Sequence, residues 1–165
     1  MNCLNHILNG TMNSKIFGTA RKRGLVYGMG SSIAANAYNT YWDFDGEVNV
    51  ENAEELFKLI QEEMMKALNG EVSEKDFEAA KSYALGRFQM GAQTPSQIAD
   101  YYAENYFTNE TIQYYDEMPN LIRGIDRMKM IELAREFAGS GIKGFATVSS
   151  VEKAVISNLE TRLNF

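Results

Sequence analysis

The sequence predicts an α+β domain, in which a small antiparallel sheet carries a layer of helices on one face. Three observations lead to this fold class. Residues 13–31 run from a helix through a glycine into a strand, a second alternating strand follows near residue 40, and helical periodicity dominates residues 50–138. With 165 residues, 45% of them hydrophobic, the chain can bury one core but not two. We therefore expect a single domain over residues 1–165.

The first nine residues predict an amphipathic helix. Its side chains separate onto two faces, with Met1, Leu4, Ile7 and Leu8 on the apolar one and Asn2, Asn5, His6 and Asn9 on the polar one. The polar face is expected to meet water.

A second helix, a glycine and a strand are predicted in the segment that follows. Ser14 is a good N-cap residue, and three cations at 21–23 suit the negative end of the helix dipole. Gly24 can supply the left-handed residue that ends the helix. The strand over residues 25–33 then alternates Leu25, Tyr27 and Met29 on one face with Val26, Gly28 and Gly30 on the other. This order places Arg21 and Tyr27 near one helix–strand corner.

The remaining elements follow from periodicity and capping signals. A half-buried strand, antiparallel to the first, is expected with Tyr38, Thr40, Trp42 and Phe44 on its inner side. Helices are expected over 50–68, over 74–89 with a Ser73/Asp76 capping box, from a Thr94-Pro95-Gln97 start, and over about 110–123 and 127–138. A third strand is expected over 142–150, with Ile142, Ala146 and Val148 facing inward, and a last helix over 151–163.

Composition excludes several classes of partner. The formal net charge of −6 argues against nucleic acid and anionic membranes, because both attract basic surfaces. No apolar run approaches the ~20 residues that a membrane span needs, and the N-terminus has no secretory pattern. The lone Cys3 rules out an internal disulfide and suits a reducing compartment. A cytoplasmic location is therefore expected.

Several of these segments resemble the pitrilysin/insulinase family of zinc metallopeptidases, and most closely its non-catalytic, C-terminal type of domain. The likeness is strongest in NHILNGTMNSKIF (5–17) followed by ARKRGLVYGMGS (20–31). Weaker likenesses are EVSEKDFEAAKSYALGRF (71–88), TPSQIADYYAENYF (94–107) and GIDRMKMIELAREF (124–137). The chain departs from the family pattern at Asn9 and Asn13, which stand for a glycine and a serine. It also lacks one residue between the helix arginine and the strand tyrosine.

The resemblance implies a fold and a candidate site. The family domain begins with one or two further strands, so this chain would be an N-terminally incomplete version with an exposed sheet edge. An arginine on the helix and a tyrosine beyond the glycine hold substrate near the zinc of the catalytic half. By position these are Arg21 and Tyr27 in this sequence, or Arg23 in place of Arg21 if the missing residue lies earlier. The alternative for all three cations is that they only serve the helix end.

Catalytic chemistry of its own is not expected in this chain. The active half of the family carries zinc on an H-x-x-E-H helix, whereas His6 is the only histidine here. We expect a solvated or capping His6 and no metal ligand. Glu54 and Glu62 precede Lys58 and Lys66 by four residues, a pattern typical of a solvated salt-bridged face and not of a general acid or base. Cys3 is expected to be an inert buried thiol.

Two further features have ordinary interpretations. Five tyrosines, at 101, 102, 106, 114 and 115, could line a peptide-binding wall, but helix packing with hydroxyls in water is the favoured interpretation. The pattern Gly28-x-Gly30 lies within a strand and is not a phosphate loop.

Two functions remain in view. In the first, the chain is the non-catalytic half of a zinc peptidase and helps to enclose peptide substrate, with the zinc in a catalytic half on the same parent chain or on a separate subunit. In the second, it is a degenerate member that acts only as a scaffold or interaction domain. A stand-alone fragment without activity is a third outcome. Further copies of the chain are also expected partners, because an unpaired sheet edge favours association.

Overall fold

The computed structural model describes residues 1–35, 39–140 and 143–163. Two strands and eight helices follow in the order α1 (Asn2–Asn9), α2 (Phe17–Lys22), β1 (Val26–Ala35), β2 (Thr40–Val48), α3 (Val50–Leu68), α4 (Glu74–Met90), α5 (Pro95–Asn109), α6 (Met118–Arg123), α7 (Arg127–Ser140) and α8 (Lys153–Thr161). This is the α+β class that the sequence predicts. No helix in these ranges combines the length and the apolar character needed to cross a membrane.

The sheet consists of β1 and β2 in antiparallel pairing, as predicted. Residues pair regularly from Ala35 with Thr40 to Met29 with Gly46, and then Val26 pairs with Val48. Three steps along β1 therefore match two along β2, so β1 carries one extra residue at positions 27–28. Such a bulge bends a strand and changes where its side chains point. The predicted inner residue Tyr38 lies outside the described residues.

The predicted strand over 142–150 is wrong in its described part. Residues 143–150 contain no strand, and Ala146 and Val148 are exposed. Phe145 of this segment contacts α3, where its ring meets that of Phe57 edge-on at 5.5 Å. No described strand pairs with the segment. Ile142 lies outside the described residues.

The core lies between the sheet and the helices α1, α3, α4 and α7. Its most deeply buried large side chains are Leu4, Leu8, Ile16 and Ile131. The inner row of α3 consists of Leu56, Ile60, Met64 and Ala67, which are all buried. Asn5, predicted to face water, is buried instead and accepts a hydrogen bond from Trp42 Nε1 at 2.7 Å. This bond ties α1 to β2, because a partly buried indole N–H needs an acceptor.

Helix starts are predicted better than helix lengths. Ser73 accepts from the Asp76 N–H at 3.1 Å, and Thr94 and Gln97 form a capping box. In contrast, the predicted helix over 110–123 is reduced to α6, because Glu110 takes a left-handed conformation that ends α5 and Pro119 marks the later start. The last helix is present over a shorter range than predicted, with Leu163 packed against the core.

Candidate functional site

The site begins with the short helix α2. Ser14 lies ahead of this helix, and its Oγ accepts from the buried Gly18 N–H at 3.4 Å, while Ile16 occupies the N-cap position itself. The predicted serine cap is therefore displaced by two residues. Ala20 points into the core with no exposed surface, which leaves Arg21 on the outer side of the same turn.

Gly24 turns the chain from α2 into β1. Its φ is +72°, in the left-handed region that favours glycine, as predicted. The Leu25 N–H donates to Ala20 O at 2.9 Å and the Gly24 N–H donates to Arg21 O at 3.1 Å. These two bonds form a Schellman motif, in which the buried Ala20 and Leu25 lie on the same side. The motif sets the angle at which β1 leaves the helix, and hence the position of Tyr27.

Arg21 and Tyr27 meet at this corner. The Arg21 guanidinium carbon lies 4.4 Å from the centre of the Tyr27 ring, and Arg21 Nη1 donates to the Tyr27 carbonyl oxygen. The Tyr27 side chain is 87% exposed because it lies in the bulge and not on the inner face of the sheet. A held cation and a solvent-facing phenol therefore stand side by side. The one-residue deletion between Arg21 and Tyr27, relative to the family pattern, therefore does not prevent their contact.

Arg23 lies apart from this pair. Its Nη1 forms an ion pair with Glu55 Oε1 of α3 at 3.2 Å. Asn52 of α3 donates to the carbonyls of Gly24 and Leu25 at 3.4 and 3.5 Å, so the start of α3 is attached to the corner from the same side. Of the two candidate arginines, the structure brings Arg21 to Tyr27 and turns Arg23 toward α3. The exposed Lys22 has no ion pair among the residues described.

His6 is only partly solvated, and its side chain forms no described capping hydrogen bond, so the prediction of a solvated or capping residue is met only in part. It is half-buried, its ring lies 4.7 Å from that of Tyr83, and its Nδ1 is buried without a hydrogen-bond partner in the described structure. Burial lowers the pKa of the His6 imidazole, and the nearby Arg87 cation lowers it further. The prediction that the polar face of α1 meets water is wrong at this point, because α4 packs across that face.

Cys3 is buried, as predicted, and burial raises the pKa of its thiol. Cys3 and His6 both line a cavity of about 380 Å³ between α1, α4 and α6. Within the described ranges, no three histidine, cysteine or acidic residues are grouped so that they could hold a metal ion. A zinc site needs three or four protein donors.

We predict that the purified chain carries no stoichiometric zinc. His6 and Cys3 provide at most two donors, which is too few for either a structural or a catalytic site. Elemental analysis after dialysis against zinc and then buffer is the measurement, with His6→Ala as the matched control. A reproducible one-to-one zinc content that His6→Ala removes would contradict the prediction.

The carboxylates of α3 form ion pairs, although not the predicted ones. Lys58 pairs with Glu62 at 3.9 Å and Lys66 with Glu63 at 2.7 Å, while Glu54 pairs with Arg162 beyond α8. An exposed charged side chain has several nearby partners that differ little in free energy. The four-residue Glu–Lys spacing in the sequence therefore does not determine which ion pairs form.

The tyrosines divide into two groups. Tyr101, Tyr102 and Tyr115 pack with Phe88, and the Tyr115 hydroxyl donates to the Phe88 carbonyl at 3.3 Å, which agrees with the packing interpretation. The Tyr101 hydroxyl, predicted to reach water, is buried instead, and burial raises its pKa. Tyr106 and Tyr114 are exposed. Phe107, which was not predicted as a site residue, is more exposed than either. The only sequence signal for it is an aromatic residue in a segment without cations.

Comparisons with known proteins agree with the resemblance. The family described as the peptidase M16 inactive domain matches residues 1–83, which contain the whole helix–strand corner. Among solved structures, a conserved protein from Enterococcus faecalis V583 superposes with a TM-score of 0.68 at 18% identity. The match covers 81% of this chain but only 31% of that chain, and it supports the fold alone. No curated protein matches. The chain belongs to the family of the peptidase M16 inactive domain, the non-catalytic type of the pitrilysin/insulinase peptidases.

Proposed function

We propose that this chain is the non-catalytic half of a pitrilysin-like zinc peptidase and that it helps to enclose peptide substrate. The observation that carries the proposal is the Arg21–Tyr27 pair, which is held at the surface by local structure within the family-matched segment. Zinc and the water-activating glutamate belong to a catalytic half, either on the same parent chain or on a separate subunit.

The proposed role of the pair is electrostatic. The Arg21 cation suits the negative charge that develops on a peptide carbonyl oxygen, and the Tyr27 hydroxyl can donate a hydrogen bond to the same region. The interactions of both groups with that negative charge become stronger when a partner half covers them and excludes water. The exposed Tyr27 ring gives that partner, or the peptide, an apolar surface to pack against.

A scaffold role is the second candidate, and one observation favours it. The Arg21 guanidinium is already engaged within the chain, by the Tyr27 ring and by the Tyr27 carbonyl oxygen. In a purely structural domain this pair would only secure the corner between α2 and β1.

The proposal also includes a location and an assembly. A free, buried Cys3 is compatible with the cytoplasm, where thiols stay reduced. The outer edges of the two-stranded sheet, which pair with no other strand among the residues described, are candidate contacts with the catalytic half or with a second copy of the chain.

The test is reconstitution. The chain is co-expressed with an H-x-x-E-H protein encoded in the same genome, and cleavage of a mixture of quenched fluorescent peptides is measured for each half and for the pair. We expect cleavage only by the zinc-loaded pair, and none when the glutamate of the H-x-x-E-H motif is replaced with glutamine. A catalytic half that binds this chain but cleaves equally well without it would support the scaffold role instead.

A further inference from the structure

The segment from 88 to 122 has a charge pattern unlike the rest of the chain. It contains no lysine or arginine, whereas its carboxylates are Asp100, Glu104, Glu110, Asp116 and Glu117. Five carboxylates without a cation give this segment −5 of the formal net charge of −6. The segment comprises the last three residues of α4, the connection to α5, α5 itself, the connection to α6 and most of α6.

These carboxylates have no ion-pair partners in the part of the chain that the structure describes. By contrast, seven carboxylates of α3 and α4 form ion pairs: Glu54, Glu55, Glu62, Glu63, Glu74, Asp76 and Glu78. The negative potential of α3 and α4 is thus largely neutralised by neighbouring cations, while that of the 88–122 segment is not.

Large apolar side chains are exposed beside these charges. Phe107 is 91% exposed, and Tyr106, Ile112, Tyr114 and Leu121 are each more than half exposed. No residue of α5 is buried. The inner side of α5 makes only partial contact with the aromatic cluster around Phe88. Asp100, Glu104 and Phe107 follow at helical spacing of four and three residues, so they share one outward stripe of α5.

The accessible surface of the whole chain is larger than that of a compact monomer. It measures 10828 Å², against about 8,200 Å² for a compact monomer of this mass. The difference exceeds the roughly 800 Å² that each partner buries in a standard protein–protein interface.

We propose that this acidic–aromatic face, defined by Asp100, Glu104, Phe107 and Ile112, binds a basic amphipathic segment of a partner protein. Unpaired carboxylates select lysine or arginine on the partner, and the exposed Phe107 and Ile112 select apolar side chains between those cations. A second copy of this chain fits poorly, because two such faces would bring like charges together. The face includes neither Arg21 nor Tyr27, so it does not depend on the proposed function.

The test uses a fluorescein-labelled, helix-forming peptide with lysines on one face and leucines on the other, and binding is followed by fluorescence anisotropy. Phe107→Ala should weaken binding about 10-fold or more, as expected for a central aromatic anchor. Asp100→Asn combined with Glu104→Gln should weaken binding at low salt and reduce its salt dependence. Since all three side chains are exposed, unchanged thermal unfolding is expected for these variants.

Matched controls on α3 are Met65→Ala for the apolar change and Glu51→Gln for the charge change, since both residues are exposed and Glu51 has no described ion pair. Neither control should alter binding by more than about twofold, a difference within roughly 0.4 kcal/mol.

Equal binding of a peptide in which the lysines are replaced with glutamates, or of a lysine peptide without leucines, would overturn the proposal. So would the absence of binding, or full binding by Phe107→Ala.

Discussion

Replacing Arg21 with alanine is expected to lower turnover by the reconstituted peptidase about 100-fold, the usual loss when one donor to a developing oxyanion is removed. Tyr27→Phe should have a similar effect through the loss of its hydroxyl. This second substitution keeps the ring against which the Arg21 guanidinium rests at 4.4 Å, so it leaves the cation in place. The measurement is kcat and KM for one peptide at saturating zinc.

The neighbouring cations supply the controls for this prediction. Lys22→Ala removes a charge from the same turn and should leave kcat within about twofold of the parent, because no described contact directs Lys22 to the corner. Arg23→Ala breaks the exposed ion pair with Glu55, which contributes little to stability. Loss of activity in Arg23→Ala but not in Arg21→Ala would transfer the role to Arg23. Full activity in both Arg21→Ala and Tyr27→Phe would contradict the assignment and favour the scaffold role.

The helix–strand corner could be predicted from the sequence because its determinants are local. Gly24 in the left-handed region, cations before it and alternation after it all act within a few residues. The exposure of Tyr27 could not be predicted, since it depends on a bulge that is defined only by pairing with β2. Local signals therefore locate the pair, while tertiary pairing decides which way the tyrosine faces.

The failures have a common physical origin. His6 and Asn5 look like solvent-facing residues on a helical wheel, but α1 is enclosed by other elements and has little free surface. The segment 143–150 alternates like a strand, yet a strand forms only where a partner edge is available, and alternation does not report that. In both cases the deciding contact joins residues far apart in sequence.

The extent of the domain is a separate question, because the family match ends at residue 83 while α7 lies beyond it. Ile131 in α7 has no exposed surface, the same as Ile16 within the matched segment. Arg127 and Arg135 flank it on α7 and donate to the carbonyls of Val72 and Leu68, on either side of the turn between α3 and α4. On these contacts we propose that α7 belongs to the same folding unit as the matched segment.

We therefore expect Ile131→Ala and Ile16→Ala to lower the free energy of unfolding by similar amounts, about 2–5 kcal/mol each, since both leave cavities in one core. Urea denaturation followed by far-UV circular dichroism and by Trp42 fluorescence should give a single coincident transition for each variant. Leu133→Ala is the control on the same helix, because Leu133 is 47% exposed and its loss should change stability by no more than about 0.5 kcal/mol. If Ile131→Ala behaved like Leu133→Ala, or if the two probes separated, α7 would be an appendage and the domain would end near α4. A loss of about 2–5 kcal/mol in Ile131→Ala together with coincident transitions would make α7 part of the core, because a cavity beside the turn between α3 and α4 would then destabilise the whole unit that holds Arg21 and Tyr27.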